Sequence, residues 1–290
     1  MVGRPNILDG RILVVAFEGW NDAGDAASSA ARAVKDALGL EPIAELDGEY
    51  YFDYQFNRPL VSTSEEGVRE IVWPSVNFFA PVAADAGVGD PNLDVHVLLG
   101  TEPSRSWKGF TEDVLEIVQD REISAIVTLG SMLADVPHTR PISVYTSSEN
   151  ADLRSELELE RSTYEGPVGI LSVIADAAER EGIPTVSVWA SVPHYVHATP
   201  SPKATLALIA RLEELIGIDV PRGELVDEAA AWEAGINELA SDDEDMARYI
   251  EQLERARDTV DSPEASGDAI AEEFEKYLRR HEGGKSDPRP

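Results

Sequence analysis

The stretch Ile123-Ser124-Ala125-Ile126-Val127-Thr128-Leu129-Gly130, running on to Ala134-Asp135-Val136-Pro137-His138-Thr139-Arg140-Pro141, decides the fold class. A largely apolar run rich in β-branched residues and ending in Gly reads as a buried strand and its turn. The turn then sets Asp, His, Thr and Arg between two prolines. Pro fixes φ and steers the preceding residue away from helix, so the loop is stiff. The arrangement returns where Val186-Ser187-Val188-Trp189 leads into Pro193-His194-Tyr195. Open α/β sheets place their crevices at such loops. His138 and His194 therefore mark a site without naming a reaction.

Working outward, Arg11–Phe17 is a second buried strand by its continuous apolarity. The loop Glu18-Gly19-Trp20-Asn21-Asp22-Ala23-Gly24 follows, then a helix with Ala27, Ala30, Ala31, Val34 and Leu38 on one face and Gly39 as its stop. The spacing of Gly19 and Gly24 matches neither a dinucleotide fingerprint nor a P-loop, and Glu18, Asp22 and Asp25 oppose a phosphate. Further strands are expected at Glu41–Asp47, Val95–Gly100, Ile142–Tyr145 and Ile183–Trp189. Helices are expected after the caps Ser106 and Ser201, and from Gly166 to Gly182. The segments Ile71–Pro74 and Val76–Pro81 read as a short hairpin insertion. The aromatic run Tyr50–Phe56 reads as an edge or oligomer contact, since interfaces are enriched in aromatics. Strand–helix alternation over residues 11–217 predicts an α/β protein with a mostly parallel sheet covered on both faces.

The composition changes after Pro221, where residues 222–282 carry 19 acidic and 7 basic side chains. Helical stripes run through Leu225, Ala229, Trp232, Ile236 and Leu239, then Met246, Ile250, Leu253 and Val260, then Ile270, Phe274 and Leu278. Asp242–Asp245 precede the second stripe, where negative charge suits a helix N-terminus. The expected organisation is an α/β core over 1–220, an acidic helical arm over 221–282 and a disordered tail over 283–290.

Over the whole chain, 24 basic residues face 55 acidic ones, a formal charge of −31. Duplex nucleic acid and anionic membranes both require a cationic surface, so neither is an expected partner. A basic protein partner fits the charge better. With no cysteine, disulfides, thiolate catalysis and Cys-ligated metal are excluded. Met1–Arg11 lacks the apolar core of a signal peptide and no run is long enough to span a bilayer. The expected location is cytoplasmic.

Several chemistries can be drawn on the two histidine loops. Ser131, His138 and Asp135 could form a triad, but the second Gly of a nucleophile elbow is missing. His138, His194 and His197 lack helical metal-ligand spacing, so no metal is expected. His138 with Arg140 could bind an anion, Arg supplying a planar fork. The competing structural reading pairs Arg140 with Asp135 across the loop and has the histidines donate to backbone carbonyls, with His138 left partly solvated. The candidate crevice residues are Glu18, Asn21, Asp22, Asp135, His138, Thr139, Arg140, His194 and Tyr195, from loops 18–24, 134–141 and 191–197.

The segments ILVVAFEGWNDAG (12–24), VTLGSMLADVPHTRP (127–141), YEGPVGIL (164–171), VWASVPHYVHATPSPKATLALIARLEELIG (188–217) and YIEQLE (249–254) resemble the PAC2 (proteasome assembly chaperone 2) family, in its actinobacterial branch. The resemblance implies a three-layer α/β core of the purine nucleoside phosphorylase/hydrolase-like group, a C-terminal helical arm and homo-oligomeric assembly, and the aromatic run Tyr50–Phe56 with the helical stripes after Pro221 leads to the expectation of a trimer or larger. It implies a protein-binding or assembly role, with proteasome subunits as the model partner and no cofactor. Some archaeal members dock through a hydrophobic-Tyr-any ending, whereas this chain ends Ser286-Asp287-Pro288-Arg289-Pro290. Some relatives are labelled ATP-dependent ligases, although no Gly-rich nucleotide loop with a Lys occurs here. The alternative expectation is a small-molecule hydrolase or ligase working around His138 and His194.

Overall fold

Alternate residues of strand β1 (Gly10–Glu18) face opposite layers of the molecule. Ile12, Val14 and Ala16 enter one buried cluster, and Leu13, Val15 and Phe17 enter another. A strand buried on both faces must be apolar throughout, which is the pattern of this run. The structure, a computed structural model, describes residue 8 and residues 10–46, 48–64, 67–81, 93–197 and 199–260.

Around β1 lie β2 (Glu41–Leu46), β5 (Val76–Ala80), β6 (Leu93–Thr101), β7 (Ala125–Ala134), β8 (Val144–Ser147) and β9 (Thr185–Pro193). They form one seven-stranded sheet in the order β2-β5-β6-β1-β7-β9-β8. The central pairs β6–β1, β1–β7 and β7–β9 are parallel, and the outer pairs β2–β5, β5–β6 and β8–β9 are antiparallel. The sheet is thus mostly parallel.

On one face, helices α1 (Ala26–Ala37) and α6 (Pro202–Ile216) pack on each other and on the first cluster. On the other, α3 (Trp107–Asp120) and α5 (Ile170–Arg180) cover Leu13, Val15 and Phe17. The result is three layers. Each fully buried Leu, Ile or Phe in these clusters contributes roughly 1.5–3 kcal/mol. Ser106 and Ser201 occupy the expected N-cap positions, yet neither side chain bonds its helix. Asn150 does cap, its Oδ1 accepting from the backbone of Asp152 and Leu153 at the start of α4 (Ala151–Leu157).

Two segments differ from their sequence reading. The aromatic run begins inside a helical turn, α2 (Gly48–Tyr51), and Tyr51 and Phe52 are buried whereas Tyr50 and Phe56 are exposed. The expected hairpin of 71–74 with 76–81 does not form. Instead β4 (Arg69–Val72) pairs with β3 (Leu60–Thr63) in a separate two-stranded ribbon, and β5 joins the main sheet. Alternation explains this: Val76, Phe78 and Ala80 are buried in turn, and Pro74 interrupts the chain before them.

Beyond Pro221, helices α7 (Leu225–Ser241) and α8 (Glu244–Val260) form the described part of the arm. Helix α7 packs on α6, and α8 on α7. Ala229, Ile236, Ala240, Ile250 and Leu253 are buried, whereas Leu239, expected in the stripe, is exposed. The third stripe, from Ile270 to Leu278, and the tail 283–290 lie outside the described residues. Among the described residues no helix is long and apolar enough to cross a membrane.

Candidate functional site

The carboxyl ends of the parallel strands carry all three predicted loops, but the structure sorts their residues into two sites. The first is the seat of the arm. Loop 134–141 leaves β7 and turn His194–Val196 leaves β9, and these strands pair in register up to Ala134 opposite Pro193. His138 is 0% exposed. Its backbone N–H donates to the Tyr195 hydroxyl (2.8 Å), and that hydroxyl donates in turn to Nδ1 (2.9 Å). Nε2–H then donates to Asn237 Oδ1 of α7 at 3.1 Å. Burial holds His138 below the usual histidine range, which favours this neutral form of the ring. The same burial pushes Tyr195 up to about 12. Lys203 Nζ donates to the His138 carbonyl (2.6 Å) and pairs with Glu233 of α7 (2.5 Å).

Arg140 does not pair with Asp135, which corrects the structural reading of the loop. It makes a bidentate contact with Asp258 of α8, at 2.7 and 2.8 Å, and reaches Glu254 at 3.3 Å. Thr139 also donates to Glu254. The Arg140 guanidinium holds the Asp258 carboxyl below the usual carboxylate range. Asp135 lies 3.3 Å from His194 Nδ1 and accepts from the Tyr249 hydroxyl of α8 at 3.2 Å. The rings of His194, Tyr195 and Tyr249 meet edge to face at 5.6–6.2 Å. The side chains expected to line an open crevice around His138 are thus the contacts that hold α7 and α8. His138 is not partly solvated, because Trp232 and Asn237 of α7 lie against its ring. Sequence reasoning missed Asn237, Glu254 and Asp258. Glu254 and Asp258 are spaced i, i+4, one face of a helix, which is the signal that could have found them.

The second site is a cavity of about 2090 Å³ beside the ends of β1 and β7. Of the nine predicted residues only Asp22 lines it. Ser131 is in its wall and bonds Ala23 O (2.9 Å) and Asp22 (3.4 Å) but not His138, so no Ser-His-Asp triad is assembled. Asp22 is 5% exposed and stands ahead of α1, its Oδ1 accepting from Ala27 N (2.7 Å) and Ser28 N (3.2 Å). Its Oδ2 has no hydrogen-bond partner among the described residues. Burial pushes this carboxyl above its ordinary value. Asn21 donates to Glu102 (2.7 Å), which also takes the Ile170 N–H opening α5 (3.0 Å). Gly169 beside it has no room for a Cβ, which would fall 2.2 Å from Asn21 Oδ1. Glu18 pairs with Arg32.

Loop 18–24, expected to border a crevice, does line the cavity through Gly19, Trp20, Ala23 and Gly24, whereas the wall contributed by β8, β9 and residues 158–169 was not foreseen. The aromatic side chains of the wall include Trp20, Tyr145, Tyr164 and Trp189, with the Trp189 ring flat against Gly130, where a Cβ would lie 2.7 Å from its carbons. Its three arginines are each engaged: Arg161 with Glu149, Arg180 with Asp176 and Arg211 with Glu214, at 2.5–2.8 Å. No ion pair reaches Asp22 or Asp25 among the described residues. Nor does any cluster of three or more metal-ligating side chains occur among them.

Fold and sites together define a three-layer α/β protein whose histidine loops seat a helical arm, with a separate cavity at the sheet's carboxyl edge. The model of the PAC2 family matches residues 16–240, and the chain belongs to that family. It is similar to a PAC2 family protein from Streptomyces avermitilis, at 43% identity, covering 83% of this chain and 99% of that one with a TM-score of 0.75. A Mycobacterium tuberculosis proteasome-assembly chaperone homologue is 39% identical over 82% of this chain and 99% of that one, with a TM-score of 0.71. An archaeal proteasome activator from Pyrococcus furiosus shares the fold at 17% identity, covering 82% of this chain and 96% of that one, with a TM-score of 0.62. No curated protein matches the chain.

Proposed function

We propose that this chain is a protein-binding assembly factor of the proteasome-assembly-chaperone kind, working in the cytoplasm as a homo-oligomer of three or more copies. The observation that carries the reading is the 39% identity to a proteasome-assembly chaperone homologue across 99% of that chain. The exposed β3–β4 ribbon supports it. Leu60, Val61, Ile71, Val72 and Trp73 are all more than half exposed there, and an isolated two-stranded ribbon is marginal in water without a partner surface. In this reading residues 1–220 are the assembling body and 221–282 its arm, whose helices α7 and α8 fold onto the body.

Light scattering on the purified chain tests the first half, with a trimer or larger closed oligomer expected. Native mass spectrometry of the chain mixed with proteasome α-subunits from the same organism tests the second, with a stoichiometric complex expected. A monomer at micromolar concentration that forms no complex with the α-subunits overturns the proposal.

A further inference from the structure

The two faces of the sheet are covered unequally at its β9–β8 end. Toward α1 and α6, Val186, Val188 and Ala190 of β9 are fully buried. Toward α3 and α5 the cover runs out, since α5 packs on β7 and β9 and β8 is the edge strand beyond them. Trp189 faces this side and is only half-buried, and Tyr145, its partner in register on β8, is 53% exposed. Met132 stands two residues past Gly130 on β7, hence on the same face, and is 40% exposed. Tyr164 and Val168, between α4 and α5, border the strip and are exposed as well. All five line the cavity of about 2090 Å³, which is larger than the roughly 300–1,000 Å³ of a small-ligand pocket. Layered folds bury such a sheet face under a helix, and among the described residues nothing buries this one.

The chain itself carries a segment that fits. It leaves α8 beside Arg140, which Asp258 holds by two bonds, and Arg140 is five residues from Tyr145, about 18 Å of extended chain. Residues 261–269, Asp-Ser-Pro-Glu-Ala-Ser-Gly-Asp-Ala, reach roughly 30 Å when extended. Ile270, Phe274 and Leu278 then recur at helical spacing. Charge is complementary too. Among the described residues the groove wall has eight carboxylates to three arginines, and each arginine is paired with one of those carboxylates. Residues 276–289 reverse the sign of the chain, with five basic side chains to two acidic ones.

We infer that residues 270–281 dock as an amphipathic helix in this groove of their own copy, with Ile270, Phe274 and Leu278 on the strip of Met132, Tyr145 and Trp189 and the basic stretch that follows meeting the groove's carboxylates. The docking goes beyond the assembly-factor reading and does not depend on it.

Because the native chain has no cysteine, one introduced pair reports one contact. The full chain carrying Tyr277→Cys and Val168→Cys, treated with a short bismaleimide at low micromolar concentration, should give an intramolecular cross-link, mapped by mass spectrometry of its tryptic peptides. Its yield should be about tenfold or more above that of Tyr277→Cys with Thr63→Cys on the β3–β4 ribbon. A yield no higher than this control overturns the proposal, and so does a cross-linked dimer, which assigns the groove to a second copy. In a second measurement, Phe274→Asp in the full chain should raise the fluorescence of added anilinonaphthalene sulfonate severalfold with the circular dichroism unchanged. A synthetic peptide of residues 268–283 should reverse that rise. Dye binding equal to that of the native chain overturns the proposal. Should Phe274→Asp fail to fold, the cross-link, which leaves the apolar stripe intact, decides alone. Light scattering on Phe274→Asp separates failure of this docking from failure of the assembly reading.

Discussion

His138 shows what a loop histidine becomes when a helix closes over it. Its ring is fully buried, accepts from one hydroxyl and donates to one amide oxygen. His138→Ala removes both ring bonds, leaving the Tyr195 hydroxyl proton without its acceptor and Asn237 Oδ1 without its donor, a loss on the order of 2–4 kcal/mol, to be read from denaturant unfolding. The pH dependence has a definite sign. His138 and His96 are both held below their ordinary 6.5 by burial, so the unfolded chain takes up protons that the folded chain refuses. Stability should therefore fall as pH drops below about 6.5. Asp22 works the other way: its raised carboxyl binds a proton more tightly when folded, so its contribution is lost as pH rises above its ordinary 3.8. Melting curves from pH 7.5 to 5 should show a falling midpoint in the native chain and a flatter one in His138→Ala. A second residue-scale prediction concerns Glu158, which ends α4 in the left-handed region at φ 54°. Glu158→Gly should raise stability by about 0.5–1 kcal/mol, as relief of the side-chain clash outweighs the added backbone entropy. An unchanged or lower melting midpoint would contradict that account.

At the scale of elements, the sequence exposes what periodicity encodes and hides what docking decides. The buried runs at Ile12–Phe17 and Ile123–Gly130 named the sheet because a strand covered on both faces has no polar alternation to dilute the signal. A different signal, the 3.6-residue period of an amphipathic helix, marks α3 through Phe110 and Val114 and α6 through Ile209, Leu212 and Leu215, all buried, whereas Leu206, also expected on that face, is only half-buried. The β3–β4 ribbon escaped because its residues are exposed on both faces, so apolarity carried no information about pairing. The site was half legible: the Pro-bounded loops do stand at the strand ends, but nothing local in Asp135 or Arg140 announces a partner more than a hundred positions away. Ending the chain at Pro221 removes Asn237, Glu254 and Asp258 from those loops. The α/β body should still unfold cooperatively in calorimetry, at a lower midpoint and with reduced solubility, since His138 and the Tyr195 ring then face water. Loss of cooperativity would make the arm part of the core instead.

For the molecule as a whole, a formal charge of −31 sets copy against copy. Like-charged surfaces repel over roughly 10 Å at 0.1 M salt and less as salt rises. Self-association through the exposed apolar residues of the ribbon, Leu60, Val61, Ile71 and Val72, should therefore strengthen between low salt and about 0.5 M salt, seen as a lower dissociation constant in analytical ultracentrifugation. Association that weakens with salt would point to an ion-paired interface elsewhere.

The arm's attachment also fixes an order in time. Tyr249, Glu254 and Asp258 contact residues 114 to 118 positions earlier, so these contacts close a loop containing strands β8 and β9 of the sheet and helices α4 to α7. Closing so long a loop is entropically costly until the intervening chain is already ordered. During synthesis, the seat of the arm is complete before its occupant leaves the ribosome. A nascent chain therefore passes through a stage in which the histidine loops lie open, and the newly made protein differs in surface from the finished one.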